Sequence, residues 1–135
     1  MSEKPFGYPK GMRLLNAKDY QTVFDKVDVK APCEHFLMLA RFNTLKHSRL
    51  GFIFSKKNIR FAVQRNRIKR VTKDYFRLHN TEVPDMDIII LARKGIDKLS
   101  NEEVRQLLKK QFNKLTKRSQ QTKSIKRSLH QPSSD

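Results

Sequence analysis

A chain of 135 residues is long enough for one domain with appendages, and its single cysteine, Cys33, rules out an internal disulfide framework and suits a reducing cytosol. Thirty lysines and arginines against thirteen acids give a formal net charge of +17, a field that gathers polyanions, nucleic acid foremost. Hydrophobic residues, 37% of the total, thin out at both ends, and the longest apolar run, Ile88 to Ala92, falls far short of the roughly 20 residues that span a bilayer.

Pro5, Gly7, Pro9 and Gly11 mark residues 1–11 as an extended arm, without the apolar block of a signal peptide. Asn16 is an N-cap with acidic Asp19 at the third helical position, and Tyr20, Val23, Phe24 and Val27 recur at i, i+3, i+4, i+7. A helix over 17–26 follows, with Tyr20 and Phe24 either in the core or open to a groove where their rings can stack on bases. After Ala31-Pro32, residues 35–42 read as a strand and residues 49–56 as another. The short polar loop between them predicts an antiparallel hairpin. Asn58 is a candidate cap for a basic helix over 60–78, and beyond Pro84 the branched run Met86 to Ala92 reads as a buried strand.

Lys94-Gly95 is a turn, and Ser100 with Glu103 is a capping box opening a helix whose apolar face is Val104, Leu107, Leu108, Phe112 and Leu115. From Lys117 the chain turns Ser/Gln/Lys-rich, with Arg118, Lys123, Lys126 and Arg127, which predicts a disordered basic tail over 117–135 behind a domain over 12–116. The order α-β-β-α-β-α predicts an α+β or α/β two-layer sandwich on a small mixed sheet. Were the strands flanking the basic helix parallel neighbours, the general rule would make their crossover right-handed.

The basic segment decides the function class. Between Ser55 and Arg77 stand nine cations, Lys56, Lys57, Arg60, Arg65, Arg67, Lys69, Arg70, Lys73 and Arg77, against the one acid Asp74. At about 100° per residue Ile68, Val71, Thr72 and Tyr75 share a core-facing stripe, and Asn66, Arg70, Lys73 and Arg77 line up opposite. A merely solvated helix alternates its signs, because like charges four residues apart destabilise it by about 0.2–0.5 kcal/mol per pair. Arg65/Lys69, Lys69/Lys73 and Lys73/Arg77 are all like pairs, so the helix points to a phosphate-bearing partner.

Catalytic chemistry of the chain's own is not indicated. Cys33 and His35 lack further ligands at metal spacing; His47, His79 and His130 are scattered; Asp85 and Asp87 read as loop and strand-edge acids. Neither helix-turn-helix nor zinc-finger spacing supports specific DNA binding. A ribosomal or other structural RNA-binding protein without a part in cleavage fits the composition equally well.

The run Ala62-Val63-Gln64-Arg65-Asn66-Arg67-Ile68-Lys69-Arg70, with Ser55-Lys56-Lys57 before it and Tyr75-Phe76-Arg77 after it, resembles the Arg-Asn-Arg signature of the bacterial ribonuclease P protein subunit. Arg13-Leu14, the helix from Asp19-Tyr20 to Val23-Phe24, Arg49-Leu50-Gly51 and the run Asp87 to Lys94 extend the match over roughly residues 12–116. The resemblance implies a cytoplasmic ribonucleoprotein subunit that binds a catalytic RNA and the 5′ leader of precursor tRNA, favouring precursor over mature tRNA. The RNA subunit would carry the active site and its Mg²⁺, leaving the protein no catalytic residue, no metal and no membrane contact. The resemblance further implies a left-handed crossover, against the general rule. Carried over by position, Lys56, Lys57, Arg60, Arg65, Asn66, Arg67, Lys69, Arg70, Lys73 and Arg77 would face the catalytic RNA, and Tyr20, Phe24 and Phe36 would line the leader groove. Leu39 stands where some relatives have a tyrosine.

Overall fold

The computed structural model describes residues 16–130, with side chains as far as 122. The expected arm, together with Arg13 and Leu14, lies outside the described residues. The elements run α1 (Ala17–Asp25), β1 (Val29–Pro32), β2 (Phe36–Phe42), β3 (Arg49–Ile53), α2 (Ala62–His79), β4 (Met86–Ala92) and α3 (Asn101–His130), with short 3-10 turns at Asn80–Glu82 and Ile96–Lys98. The expected α+β architecture holds, with one strand more than the sequence reading gives. β1 has only four residues and ends on Pro32 at the sheet edge, where a missing N–H costs no ladder bond.

The sheet order is β1-β2-β4-β3, with β1 and β4 antiparallel to β2 and β3 parallel to β4. The expected β2–β3 hairpin is therefore wrong: β4 inserts between the two strands. The connecting loop is stitched to the arriving strand instead of closing a turn of its own. Asn43 N–H donates to the Asp85 carbonyl at 3.2 Å, the Ser48 hydroxyl donates to the Pro84 carbonyl at 2.7 Å, and Met86 N–H reaches the same hydroxyl at 3.4 Å. β3, α2 and β4 do form a strand–helix–strand unit with parallel neighbours.

Alternation divides the sheet into two unequal layers. Val29, Ala31, Phe36, Met38, Ala40, Leu50, Ile88 and Ile90 form one core with Ile68, Val71 and Phe76 of α2 and Val104, Leu108, Phe112 and Leu115 of α3. The other face buries only Leu39 and Ile89 under Val23 of α1, with Tyr20, Val27, Leu37 and Leu91 partly buried around them. α2 keeps its expected stripe at Ile68, Val71 and Thr72, whose hydroxyl donates back to the Ile68 carbonyl at 2.8 Å. Phe76 fills the core beside them. Tyr75 sits at the rim between Phe112 and His79, ring centroids 5.6 and 4.2 Å away, and burial raises its phenol pKa.

Three local expectations come out differently from one another. α1 is capped as read, Asp19 N–H donating to Asn16 Oδ1 at 3.0 Å. Asn58, by contrast, does not cap α2: its amide donates to the Ala92 carbonyl at 2.9 Å, so it ties the turn before α2 to the end of β4. α2 starts at Ala62 with Phe61 as a cap that offers no side-chain bond. The third is the tail, whose residues 117–130 continue α3. α3 passes through residue 117 unbroken to His130, Ser119 is buried, and Arg118 donates to the Lys30 carbonyl at 2.9 Å. Lysine, glutamine and arginine are good helix formers even where apolar periodicity fades. Residues 131–135 lie outside the described part.

Gly95, at φ 98°, makes the turn after β4, a backbone conformation that strains any side chain. The capping box forms as expected: Ser100 N–H donates to Glu103 Oε1 at 2.8 Å and Glu103 N–H to Ser100 Oγ at 3.1 Å. The Ser100 backbone N–H, then its hydroxyl, hold the Glu103 carboxyl below the usual carboxylate range. A carboxylate with a lowered folded pKa adds stability that is present above its unfolded pKa and fades as pH falls through the folded one. Ser100→Ala, which keeps the backbone bond and loses the hydroxyl's, is expected to lower the melting temperature, more at neutral pH than in acid, read as paired thermal melts at the two pH values.

Candidate nucleic-acid interface

α2 lies over the β3 end of the sheet with its two flanks in different surroundings. On the α3 side, Arg67 is committed to the fold. Its Nε donates to Gln64 Oε1 at 2.8 Å, Nη1 to Asn101 Oδ1 at 2.7 Å and Nη2 to the Asp97 carbonyl at 3.1 Å, fixing α2 against the start of α3. Asp74, the single acid of the helix, lies on this side too, in a cleft shared with Glu102, Arg105 and Lys109, and Arg77 Nη2 reaches it at 3.4 Å.

The β3 side sets cations over aromatic rings. Lys69 Nζ stands 5.8 Å above the centre of the Phe54 ring and Lys73 Nζ 5.8 Å above that of Phe52, the two rings meeting edge to face at 5.4 Å. Ammonium groups on ring faces stay charged and reachable while their stems cover apolar surface. Arg65 Nη1 donates to the carbonyls of Ile59 and Arg60 at 2.8 and 3.0 Å, which braces the turn carrying Lys56, Lys57 and Arg60 against the first turn of the helix. Lys56, Lys57, Arg60, Asn66 and Arg70 are exposed. Among the described residues the Asn66 side chain makes no hydrogen bond, and its amide, donor and acceptor both, is exposed.

Across the sheet, register lines up an apolar row on the α1 face. Pro32 pairs with Leu37, Leu37 with Leu91 and Leu91 with Ile53. α1 covers the next row, Leu39 and Ile89, and leaves this one partly open; Ile53 is 36% and Phe24 40% exposed. Tyr20 forms the cleft's end. Its hydroxyl accepts from Phe52 N–H at 3.0 Å and donates to the Phe52 carbonyl at 3.4 Å, occupying backbone groups of edge strand β3.

Of the expected groove residues, Tyr20 sits at this cleft, Phe24 is exposed on α1, and Phe36 lies elsewhere. Phe36 is 1% exposed in the α2/α3 core, on the opposite side of β2. Its parity in the strand matches Met38 and Ala40; the residues that do face α1 are Leu37 and Leu39. The sequence reading missed Leu37, Ile53 and Leu91 as cleft residues, since which parity faces α1 becomes visible only once the β2–β4 register is known.

The third row of this face is polar. Asp87, buried, accepts from Arg49 Nε at 2.9 Å and Arg49 Nη2 at 2.7 Å, with Asn43 Nδ2 at 2.9 Å and Asp19 3.8 Å from Arg49. The paired carboxylate pushes the Arg49 pKa further up. Asp87 is thus a strut, its oxygens taken, and no group of three or more His, Cys, Asp or Glu among the described residues is placed to hold a metal ion. No helix among them is long and apolar enough to cross a membrane.

The ribonuclease P family model matches residues 8–116. The ribonuclease P protein component of Marinobacter nauticus is 47% identical over 88% of this chain and 89% of its own length. That of Pseudomonas aeruginosa is 44% identical over 82% of this chain and 79% of its own. In structure, the Staphylococcus aureus RNase P protein superposes with a TM-score of 0.73 at 27% identity, over 79% of this chain and 99% of that one. The Thermotoga maritima RNase P protein gives 0.65 at 28%, over 75% and 96%.

Proposed function

This chain belongs to the ribonuclease P protein family, and from that premise we propose that the β3-facing flank of α2 seats the catalytic RNA while the cleft under α1 holds the single-stranded 5′ leader of precursor tRNA. As a ribonuclease P subunit it serves an endoribonuclease of tRNA 5′ processing, and it associates with the ribonuclease P RNA. One observation carries the finer reading: both surfaces meet on β3. Phe52 and Phe54 of that edge strand and its extension lie under Lys73 and Lys69, and Ile53 between them faces the cleft. An RNA clamped along α2 therefore delivers a strand leaving it to the apolar row one pleat away.

Each surface has the chemistry its task requires. Guanidinium forks bind phosphate bidentately and ammonium groups act as point charges, with Arg60, Lys69, Arg70 and Lys73 at the front. Arg65 and Arg67 act chiefly as struts that hold this front in place. Asn66 reads a 2′-hydroxyl or a base edge. The cleft holds leader by stacking and apolar contact, at about 1–3 kcal/mol per base. Such contacts tolerate any sequence, which one subunit serving many precursors needs. Phosphodiester cleavage, with its Mg²⁺, is assigned to the RNA subunit; the chain supplies binding and orientation.

Reconstitution tests the reading. The chain added to the catalytic RNA at low Mg²⁺ is expected to restore leader removal, also when shortened after residue 122. Stable binding of that RNA without restored cleavage would make it a structural RNA-binding protein instead. Within the reconstituted enzyme, Phe24→Ala is expected to lower the preference for precursor over mature tRNA by about five- to a hundredfold, one lost stacked base, while the melting temperature changes little. A lowered melting temperature with the preference intact would return Phe24 to the core.

A further inference from the structure

Phe61 is the most exposed of the aromatic side chains described, 61% open, and Val63 beside it is 75% open. Neither contributes burial to the fold, and both stand within the cationic surface. The guanidinium of Arg60 lies over one side of the Phe61 ring, 5.3 Å from its centre. The ring is presented from a fixed backbone: the Phe61 carbonyl accepts from Gln64 and Arg65 N–H at 3.0 and 3.1 Å, Ile59 two residues back is fully buried, and Arg65 ties the carbonyls between them. An apolar protein partner docking here would strip water from Lys56, Lys57 and Arg60, against a large desolvation cost. A nucleic acid would gain from those same charges.

We propose that Phe61, with Arg60 folded over it, is a stacking platform for one unpaired base of the catalytic RNA, whose flanking phosphates are held by Lys56, Lys57 and Arg60. The inference rests on the assignment of this flank to the RNA and adds a contact of a different kind. Guanidinium planes and aromatic rings are the two side-chain surfaces on which splayed-out bases stack. Here the guanidinium already lies over the ring, 5.3 Å from its centre, before the RNA arrives, so less ordering remains to be done on binding. The platform gives the interface one salt-insensitive anchor within a surface otherwise governed by counterion release.

The sequence contains no tryptophan, so Phe61→Trp in the full chain places a single tryptophan at the platform, excited selectively beyond the tyrosine band. Titration with the catalytic RNA is expected to quench its emission by at least about half, saturating where independently measured binding saturates. Leu78→Trp, at the far end of α2 and 56% exposed, is expected to stay bright. Phe61→Ala is expected to weaken RNA binding about five- to a hundredfold with the salt slope unchanged, whereas Arg60→Ala reduces that slope by about one. Three results would each overturn the platform and leave the subunit's function standing. They are unquenched emission from Phe61→Trp despite full RNA binding and restored processing, equal quenching at both positions, and undiminished affinity of Phe61→Ala. Failure of the unaltered chain to bind this RNA would instead strike at the function.

Discussion

Alanine at Asp87 is expected to cost the fold about 3 kcal/mol, the largest single-residue loss outside the apolar core. The carboxylate is buried and takes both prongs of the Arg49 fork and the Asn43 amide. Its removal strands Arg49 at the sheet end, with Asp19, 3.8 Å away, as the remaining counter-charge. It also removes the Asn43 side-chain tie to β4, one of the bonds that hold that loop. Much of the loss is the uncompensated guanidinium, so Asp87→Ala combined with Arg49→Met is expected to recover at least about 1 kcal/mol. Urea midpoints for the two variants test this; a double variant no more stable than the single one would show that the carboxylate acts through Asn43 alone.

Replacing Lys56, Lys69 and Arg70 together by alanine is expected to have the largest functional effect. Each removes one phosphate contact, so the plot of log affinity for the catalytic RNA against log salt should flatten by about two to three. The fold should survive, because Lys56 and Arg70 are exposed and Lys69 contributes a ring contact at the rim. Arg65 and Arg67 are unsuitable for such a test: each bridges backbone or side-chain acceptors, so their loss mixes stability with binding. An unchanged salt slope in the triple variant would remove α2 from the RNA interface.

The sequence exposes the features that depend on short-range pattern. The helix stripe of Ile68, Val71 and Thr72 and the box of Ser100 and Glu103 are set by residues three or four apart, and both appear in the structure as read. What depends on distant partners is hidden. A short polar loop between two strands suggests a hairpin, and only β4, more than thirty residues later, reveals that the two are not neighbours. β2 is apolar on both sides, so its own residues do not say whether Phe36 or Leu37 faces α1. Asn58 has the residue type and place of a cap, yet a carbonyl on β4 outcompetes the helix for its amide. The Arg-Asn-Arg motif reads as three equivalent contacts, while the structure turns Arg65 and Arg67 inward toward acceptors and leaves Asn66 exposed.

β4 is the second strand from one edge, yet the last to be synthesised. Until residue 92 has left the ribosome, β2 and β3 each present a strand side with no ladder partner, and α2 has no completed sheet to pack on. Nascent chains shorter than this can form local helix and the β1–β2 pair but not the domain, so its appearance should be abrupt and late. Pairings of such sequence separation also place it among slow-folding topologies for its size.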